Sequence, residues 1–483
     1  MRPANWRQLG MLITFAAVMG APVPWAVPAF LGFAVALTAF RLSRYVARRV
    51  PTAGPTPPGQ AIVLGTDGRG REVAVTDREL SAHGLILGAS GAGKTTSLLR
   101  ILTEQIRRGQ PVIAVDLKGS PSFTAQLQAA ADAAGRPFRV WTPDGPAAWN
   151  PLGHGNATEL KDKLIATERF TEPHYQRAAE RYLLNALQVA QARHPSVPPT
   201  LQEVTRLMDT HRLRASLRGV EPGLRERVSD YLASLTPDQL SAVRGLQTRL
   251  AILTESHTGP YLSPSGGPGD IDLRDALAGR EVVVFSLNSG RYGQLASQLG
   301  RLVVQDLICA AGERLAQPGP HPQATVAIDE FAGVGAQNIL ALFSRGRESG
   351  FVVLLATQEM ADLDRAAHGL RDQVLGNTAL KLAHRQDVPG SAQLIAQMIG
   401  TEKQWEETEQ LSGSPLGGFG TRSRTRRQAE QFIVHPNDIK TLGTGDAILI
   451  SKLRGEPAGR IRVAPPERGQ ARPPAPRHGP ELG

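Results

Sequence analysis

The stretch that decides the fold is GLILGASGAGKTTSLLRIL, residues 84–102. Its first four residues are a short apolar run typical of a buried strand, and its last seven have the residue pattern of a helix. Between them stands GxxxxGK[ST] in the strand–loop–helix context that a phosphate-binding loop requires. Glycines let backbone N–H groups converge on phosphate oxygens, and the helix N-terminus favours the same anion. The stretch predicts a nucleotide site, with a glycine-rich turn as the alternative.

Two side chains carry the chemistry of this loop. Lys94 would reach the β- and γ-phosphates, and the Thr95 hydroxyl would bind Mg²⁺. The expected cofactors are therefore ATP and Mg²⁺. The expected nucleotide-binding residues are Gly88, Ser90, Gly91, Ala92, Gly93, Lys94, Thr95 and Thr96.

A pair of acids ends a second apolar run, TVAIDE at residues 325–330. Asp329 would hold Mg²⁺ with Thr95, partly through water, and Glu330 would polarise the attacking water. Alone, such a run is typical of any strand that reaches a turn. Together with the phosphate-binding loop it predicts the catalytic pair, and an acid beside the Mg²⁺ ligand favours a hydrolysing motor over a small-molecule kinase.

A third apolar run, FVVLLATQ at residues 351–358, ends in Gln358. A glutamine at a strand tip can sense the γ-phosphate or orient the water, and capping of the next helix is the alternative. The preceding segment contains Arg347 and, less favoured, Arg345. Either could stabilise charge at the γ-phosphate of a neighbouring subunit. Exposed arginines are more often simply solvated, which is the alternative for both.

The chain alternates between strand-like and helical segments. This pattern predicts an α/β fold with a mainly parallel sheet covered on both faces, and a nucleotide at the carboxyl edge of the strands. Residues 158–255 lack strand character and read as an all-helical block inserted into the nucleotide-binding domain. A larger helical half of one core is the alternative. The strand-like runs are residues 112–116, 138–141, 281–287, 325–328, 351–357, 379–382 and 446–450.

The composition is that of an ordinary globular protein. Of 483 residues, 41% are hydrophobic and 20% charged, which excludes a disordered chain and a collagen-like repeat. One cysteine, Cys309, excludes an intrachain disulfide. The 5% aromatic content argues against a single-strand binder built on stacking. A net charge of +10 favours polyanions or an anionic membrane surface as partners.

Residues 9–40 contain no charged residue or histidine, a run longer than the roughly 20 residues of one membrane span. Three prolines interrupt it, so two short helices joined by a tight turn are expected. Arginines flank the run on both sides, which fits a hairpin with both ends in the cytoplasm. The alternatives are a single tilted, kinked span and a cleaved signal peptide.

One loop towards the C-terminal end of the chain is rich in arginine. A loop at residues 413–427 is glycine- and serine-rich and basic, and it could follow phosphates through a pore, although a solvated loop is the alternative. Its pore candidates are Arg422, Arg424, Arg426 and Arg427.

The chain divides by composition into six expected parts. They are a membrane anchor (1–50), a Pro/Gly linker (51–59), a nucleotide-binding part (60–155), an inserted all-α domain (156–270), a second nucleotide-binding part (271–464) and a disordered Pro/Arg-rich tail (465–483).

Taken together, the motifs resemble those of the type IV coupling proteins, the TraG/TraD conjugative-transfer ATPases of the FtsK/HerA superfamily. The resemblance covers about residues 60–455 and the anchor. It rests on residues 83–96, 116–120, 150–152, 329–330, 345–358 and 376–378. The family usually has Asp-Pro-Lys-Gly-Glu where this chain has Leu117 and Ser120. That departure weakens the resemblance in this loop and leaves the ATP chemistry intact.

The resemblance implies a RecA-like P-loop ATPase that forms a homohexamer at the cytoplasmic (inner) membrane, multi-pass, with its body in the cytoplasm. Its expected partners are the membrane, single-stranded DNA carried with a relaxase, and components of a type IV secretion channel into which the DNA is transferred. Export of effector proteins is a second possibility. A docking platform that hardly hydrolyses ATP is a third.

Overall fold

The computed structural model describes residues 61–264, 266–267, 269–319, 321–411, 422–455 and 458–466. The predicted membrane anchor and linker, and all but the first two residues of the predicted tail, lie outside the described residues. Within the described ranges, no helix is both long enough and apolar enough to cross a membrane.

Strands form the centre of the molecule. In chain order, those of the described residues are β1 (Ala61–Asp67), β2 (Glu72–Thr76), β3 (Gly84–Leu87), β4 (Val112–Asp116), β5 (Phe138–Trp141), β6 (Val282–Ser286), β7 (Ala324–Asp329), β8 (Phe351–Thr357), β9 (Leu380–Ala383), β10 (Thr401–Leu411), β11 (Arg422–Phe432), β12 (Asp446–Ser451) and β13 (Gly459–Val463). All except β10 and β11 join one eleven-stranded sheet, in the order β2-β1-β13-β12-β9-β3-β8-β7-β4-β6-β5.

The sheet has a parallel and an antiparallel part. The seven strands from β9 to β5 in this order are parallel to one another. The other four continue the sheet beyond β9 as antiparallel neighbours. The predicted α/β fold with a mainly parallel sheet is confirmed. Three of the antiparallel strands, β1, β2 and β13, were not predicted. In β2 and β13 apolar and polar residues are mixed, whereas β1 begins with a short apolar run, residues 61–64, that was missed.

Helices connect the strands. They are α1 (Asp77–Ser81), α2 (Lys94–Arg107), α3 (Pro121–Ala133), α4 (Ala157–Ile165), α5 (Pro173–Arg193), α6 (Leu201–Leu207), α7 (Thr210–Ala215), α8 (Pro222–Ala233), α9 (Pro237–Thr254), α10 (Leu273–Ala278), α11 (Ser289–Tyr292), α12 (Gln294–Ala316), α13 (Ala336–Gly346), α14 (Met360–Ala366), α15 (Leu370–Asn377), α16 (Pro389–Ile399) and α17 (Pro436–Lys440). In the part of the chain that the structure describes, two short 3₁₀ turns lie at Gly259–Leu262 and Phe331–Gly333.

Both faces of the sheet are covered. Successive side chains of a strand point to opposite faces, and those of β8 alternate between two hydrophobic cores: Val352 and Leu354 belong to one, Val353 and Leu355 to the other. Helices α2 and α3 pack into the first core, and α12 and α13 into the second. The carboxyl edge of the parallel strands is therefore left for the loops.

Helices α4 to α9 form the predicted helical block. Thr236 starts α9 with a reciprocal capping box and a proline at the first helical position, and Thr200 caps α6 through the Glu203 N–H. The block is not a separate compact unit, because its buried residues belong to the same continuous core as β3 and β8. This favours the view of a larger helical half of one core. The boundaries 156 and 270 stay a prediction.

The predicted basic loop needs a correction. Its four arginines lie in β11, which pairs along its whole length with β10 in a separate antiparallel hairpin. The register sets Glu407 opposite Arg426 and Glu409 opposite Arg424. Strand positions two apart share a face, so positions 422, 424 and 426 lie on one face of the hairpin and position 427 on the other. Residues 412–421 lie outside the described part of the chain.

Candidate functional site

The phosphate-binding loop is held in shape by glycine. All four residues of β3 are buried, and α2 begins directly after the loop, at Lys94. Gly91 and Gly93 have φ of 74° and 116°, values that L side chains rarely adopt. A Cβ on Gly93 would lie 3.0 Å from the backbone nitrogen of Gly445. These glycines are therefore required by the backbone path of the loop as well as by access of a ligand.

Two of the predicted nucleotide-binding residues use their backbone N–H within the protein. The N–H of Gly88 donates to the Thr357 carbonyl at 3.3 Å, and that of Ala92 donates to the Ala89 carbonyl at 3.1 Å. Ser90 and Gly91, by contrast, are exposed. Gly88 and Ala92 thus frame the loop in this structure, and the exposed turn between them faces outward.

The acid pair meets the loop. Asp329 ends β7, which lies two strands from β3, and Glu330 follows it. The Lys94 Nζ lies 2.8 Å from Glu330 Oε1 and 3.6 Å from Asp329 Oδ1. Lys94 and Glu330 are 236 positions apart in the sequence. The fold therefore brings the loop and both acids to one point at the carboxyl edge of the sheet.

Glu330 has a conformation unusual for its residue type. Its φ of 56° and ψ of 42° put it in the left-handed region, where a non-glycine residue is uncommon and costs on the order of 1 kcal/mol. Its N–H donates to Asp329 Oδ1 at 3.0 Å, and its carboxylate accepts from Gln358 Nε2 at 2.9 Å. The turn aims the Glu330 carboxylate at both Lys94 and Gln358, so Gln358 also belongs to the site.

One acid of this site was missed as a functional residue. Asp116 ends β4 directly opposite Asp329, and its carboxylate accepts hydrogen bonds from the N–H groups of Gly119 and Ser120 at 3.0 and 2.6 Å. Burial, and then the negative charge of Asp329, raise the pKa of Asp116 to about 6. Burial also raises the pKa of Asp329, although the Lys94 ammonium opposes that shift. The signal was available: this strand-like run also ends in an acid at the carboxyl edge.

The two candidate arginines lie elsewhere. Helix α13 returns from the carboxyl end of β7 to the start of β8, so Arg345 and Arg347 reach the edge of the sheet opposite to Lys94. Both side chains are exposed. Within one chain they are not part of the site, and a contact with a γ-phosphate requires a second copy of the chain.

The donor set suits a magnesium nucleotide. The buried carboxylates of Asp116 and Asp329 repel one another, and a hard divalent cation prefers such oxygen ligands. The half-buried Thr95 stands beside Lys94 in the first turn of α2. Thr95 and Asp329 could hold Mg²⁺, while Lys94 and the exposed turn supply positive charge and N–H donors for phosphate.

Two family models match parts of the chain. The model described as the TraM recognition site of TraD and TraG matches residues 323–444, and the model described as helicase HerA-like C-terminal matches residues 62–136. These two segments contain the acid pair and the phosphate-binding loop respectively. No curated protein sequence matches the chain.

Solved structures match over most of the chain. The unbound bacterial conjugative coupling protein TrwBΔN70 is 16% identical, with a TM-score of 0.61 over 86% of this chain and 91% of that one. The plasmid coupling protein TrwB in complex with ADP and Mg²⁺ is 15% identical, with a TM-score of 0.60 over 82% and 88%. VirB4 of Thermoanaerobacter pseudethanolicus is 14% identical, with a TM-score of 0.54 over 86% and 100%. At these identities the matches show a common fold.

A mainly parallel sheet, a glycine-rich loop between β3 and α2, and an acid pair that meets the lysine of that loop define a P-loop NTPase. Within that superfamily, the chain is similar to the coupling proteins of type IV secretion systems. The resemblance predicted from the motifs is thereby confirmed.

Proposed function

We propose that the protein is a membrane-anchored ATPase that couples ATP hydrolysis to the transfer of DNA, carried with a relaxase, into a type IV secretion channel. The observation that supports hydrolysis most directly is the 2.8 Å ion pair between Lys94 and Glu330. It puts a base and a phosphate-binding cation within one hydrogen bond. The TraG/TraD family model and the fold shared with TrwB support the role in DNA transfer.

Each residue of the site has a separate role in ATP hydrolysis. The exposed turn and Lys94 bind the phosphates of ATP, and Glu330 accepts the proton of the attacking water. Thr95 and, partly through water, Asp329 would hold Mg²⁺, which would neutralise the charge of the phosphates. Gln358 donates to Glu330 at 2.9 Å, so it orients that carboxylate and is placed to respond when Lys94 turns to a phosphate.

We further propose that the active assembly is a homohexameric ring in which Arg347 acts in trans. Arg347 is exposed at the edge of the sheet opposite to its own Lys94. A ring brings such opposite edges of neighbouring copies together, and an arginine supplied across a subunit seam makes hydrolysis depend on assembly.

The charge of the chain supports an anchor more than a DNA-binding body. Six arginines and no acidic residue lie within residues 1–60, so most of the +10 excess flanks the apolar run. Arginines beside such a run favour a cytoplasmic location of both flanks and attraction to anionic lipid. We therefore place the soluble body in the cytoplasm, at the inner membrane.

Strand β11 is the candidate for direct contact with DNA. Arg422, Arg424, Arg426 and Arg427 are its candidates, and Arg426 is exposed. The acids that face this strand across the hairpin reduce its net charge. Binding there should therefore be weak and steeply dependent on salt.

The deciding experiment measures the ATPase rate and the particle mass of the full-length protein with and without single- and double-stranded DNA. Lys94→Ala protein is the control for contaminating ATPases. Stimulation by DNA supports the proposal. Stimulation by an exported protein and indifference to DNA would indicate effector export instead. Tight ATP binding with hardly any turnover would indicate a docking platform.

A further inference from the structure

His384 is a fully buried histidine that contacts the phosphate-binding loop from the neighbouring strand. It follows β9, which pairs with β3, and its backbone N–H donates to the Leu87 carbonyl at 2.8 Å. Its Nε2 lies 2.8 Å from the Ser97 hydroxyl in α2. Its Nδ1 lies 2.8 Å from the backbone carbonyl oxygen of Asp446.

These partners fix the tautomer of the ring. A carbonyl oxygen only accepts, so Nδ1 carries the hydrogen and donates it to Asp446, and Nε2 then accepts from the Ser97 hydroxyl. Burial lowers the pKa of His384 to about 4, which keeps the ring neutral near pH 7. Both ring nitrogens of His384 are therefore satisfied, one by the helix of the phosphate-binding loop and one by the start of β12.

The same side of the loop is held by backbone contacts. The Gly445 N–H donates to the Ala92 carbonyl at 2.9 Å, and the Ala89 N–H donates to the Arg385 carbonyl at 2.9 Å. A Cβ on Gly93 would lie 3.3 Å from Cε1 of His384. The loop is thus held near its start and at its end by residues that flank β9 and β12.

We propose that His384 is a positioning residue of the nucleotide site, which fixes the first turn of α2 and the end of the loop through Ser97 and the Asp446 carbonyl. Ser97 lies three residues after Lys94, on the same side of the helix. Loss of its bond to His384 would let Lys94 and Thr95 rotate away from the phosphates. The inference rests on the proposed function, because it assumes that this loop binds nucleotide.

A second histidine provides a matched control. His83 is also buried, and burial also lowers its pKa to about 4. It precedes the other end of β3, where its Nδ1 accepts from the Val353 N–H at 3.2 Å and its Nε2 lies 3.4 Å from the Phe343 carbonyl. Its φ of 63° lies in the left-handed region, which asparagine adopts more readily than most residues, so asparagine is the substitution that fits this backbone. His83→Asn should lower stability and leave nucleotide affinity unchanged.

The test compares MgADP affinity with thermal unfolding in the absence of nucleotide, using full-length Ser97→Ala, His384→Ala, His384→Gln and the double alanine variant. His384→Ala removes two buried hydrogen bonds, to Ser97 and to the Asp446 carbonyl, and we expect it to bind MgADP about tenfold more weakly than wild type. Ser97→Ala should lose somewhat less MgADP affinity, and the double variant should bind MgADP almost as well as His384→Ala. Glutamine can place an oxygen near the position of Nε2, so His384→Gln should recover part of the affinity.

Unchanged MgADP affinity in His384→Ala, with stability lowered as in His83→Asn, would overturn the inference. If His384→Ala does not fold, Ser97→Ala decides, and wild-type affinity in that variant would overturn the inference equally. Absence of MgADP binding by the wild-type protein would overturn the proposed function itself, and this inference with it.

Discussion

Asp116 and Asp329 lie opposite one another at the carboxyl ends of the neighbouring parallel strands β4 and β7. Both are buried, and each is stabilised by different groups: Gly119 and Ser120 N–H groups at Asp116, and the Lys94 ammonium at Asp329. Repulsion between them is part of the reason why the pKa of Asp116 is raised to about 6. The fold thus concentrates negative charge beside the lysine of the phosphate-binding loop.

Asp116→Asn should flatten the pH dependence of stability. A carboxyl with a folded-state pKa of about 6, above its ordinary 3.8, favours the folded state most below pH 4, and that stability is lost as the pH rises to about 6. Asparagine does not titrate, so between pH 4 and 7 the variant should gain up to about 3 kcal/mol relative to wild type. Chemical unfolding at both pH values, without Mg²⁺, measures this. Asp132→Asn, at an exposed position, is the control, and parallel curves for Asp116→Asn and wild type would contradict the prediction.

Lys94→Ala and Glu330→Gln should both abolish ATP hydrolysis, for different reasons. Lys94→Ala removes the cation for the phosphates and should also lose nucleotide binding. Glu330→Gln removes the base but also removes the negative charge that holds Lys94 at 2.8 Å, so ATP binding should be retained or slightly strengthened. ATPase rates and nucleotide titrations on each variant measure this. Wild-type turnover in either variant would refute the assignment of the site.

If Arg347 acts across a subunit seam, two inactive variants should complement one another. Arg347→Ala keeps its own phosphate-binding loop, and Lys94→Ala keeps its arginine, so mixed assemblies contain some complete sites. ATPase activity measured over a series of mixing ratios should pass through a maximum. Arg345→Ala is the control and should stay active alone. No recovery at any ratio would exclude the trans role.

A buried ion cluster joins α4 of the helical block to α10 and α12, and its carboxylate, Asp306, should contribute strongly to stability. Asp306 accepts from Lys163 at 2.9 Å and from Trp149 Nε1 at 3.1 Å, and it also pairs with Arg274. These cations hold the pKa of Asp306 below its usual value despite complete burial. Asp306→Ala leaves the buried Lys163 ammonium without its carboxylate partner, while Arg274 keeps its ion pair with Glu313. The variant should lose about 3–5 kcal/mol of unfolding free energy. Denaturant unfolding measures this.

The control for that prediction is a surface pair. Arg365 and Asp362 form an ion pair in which the Arg365 side chain is 76% exposed, and exposed pairs contribute little. Arg365→Ala should therefore unfold at nearly the wild-type denaturant concentration. A loss in Asp306→Ala as small as that in Arg365→Ala would contradict the role of the buried cluster.

The local parts of this protein can be predicted from its sequence. The glycines of the phosphate-binding loop, the capping box at Thr236 and the buried strands are all encoded in contiguous residues. Residues 138–141 and 351–357 were predicted as strands with the bounds of β5 and β8. Such features are readable because backbone conformation, helix caps and apolar runs depend mainly on a residue and its near neighbours in the chain.

Contacts between distant residues follow from the folded arrangement of the whole chain. It set β8 between β3 and β7, Asp116 beside Asp329, and His384 against Ser97. It also turned a basic segment that looked like a loop into β11. Strand order and register depend on how all the apolar faces of the chain are buried at once. No short stretch of sequence contains that information.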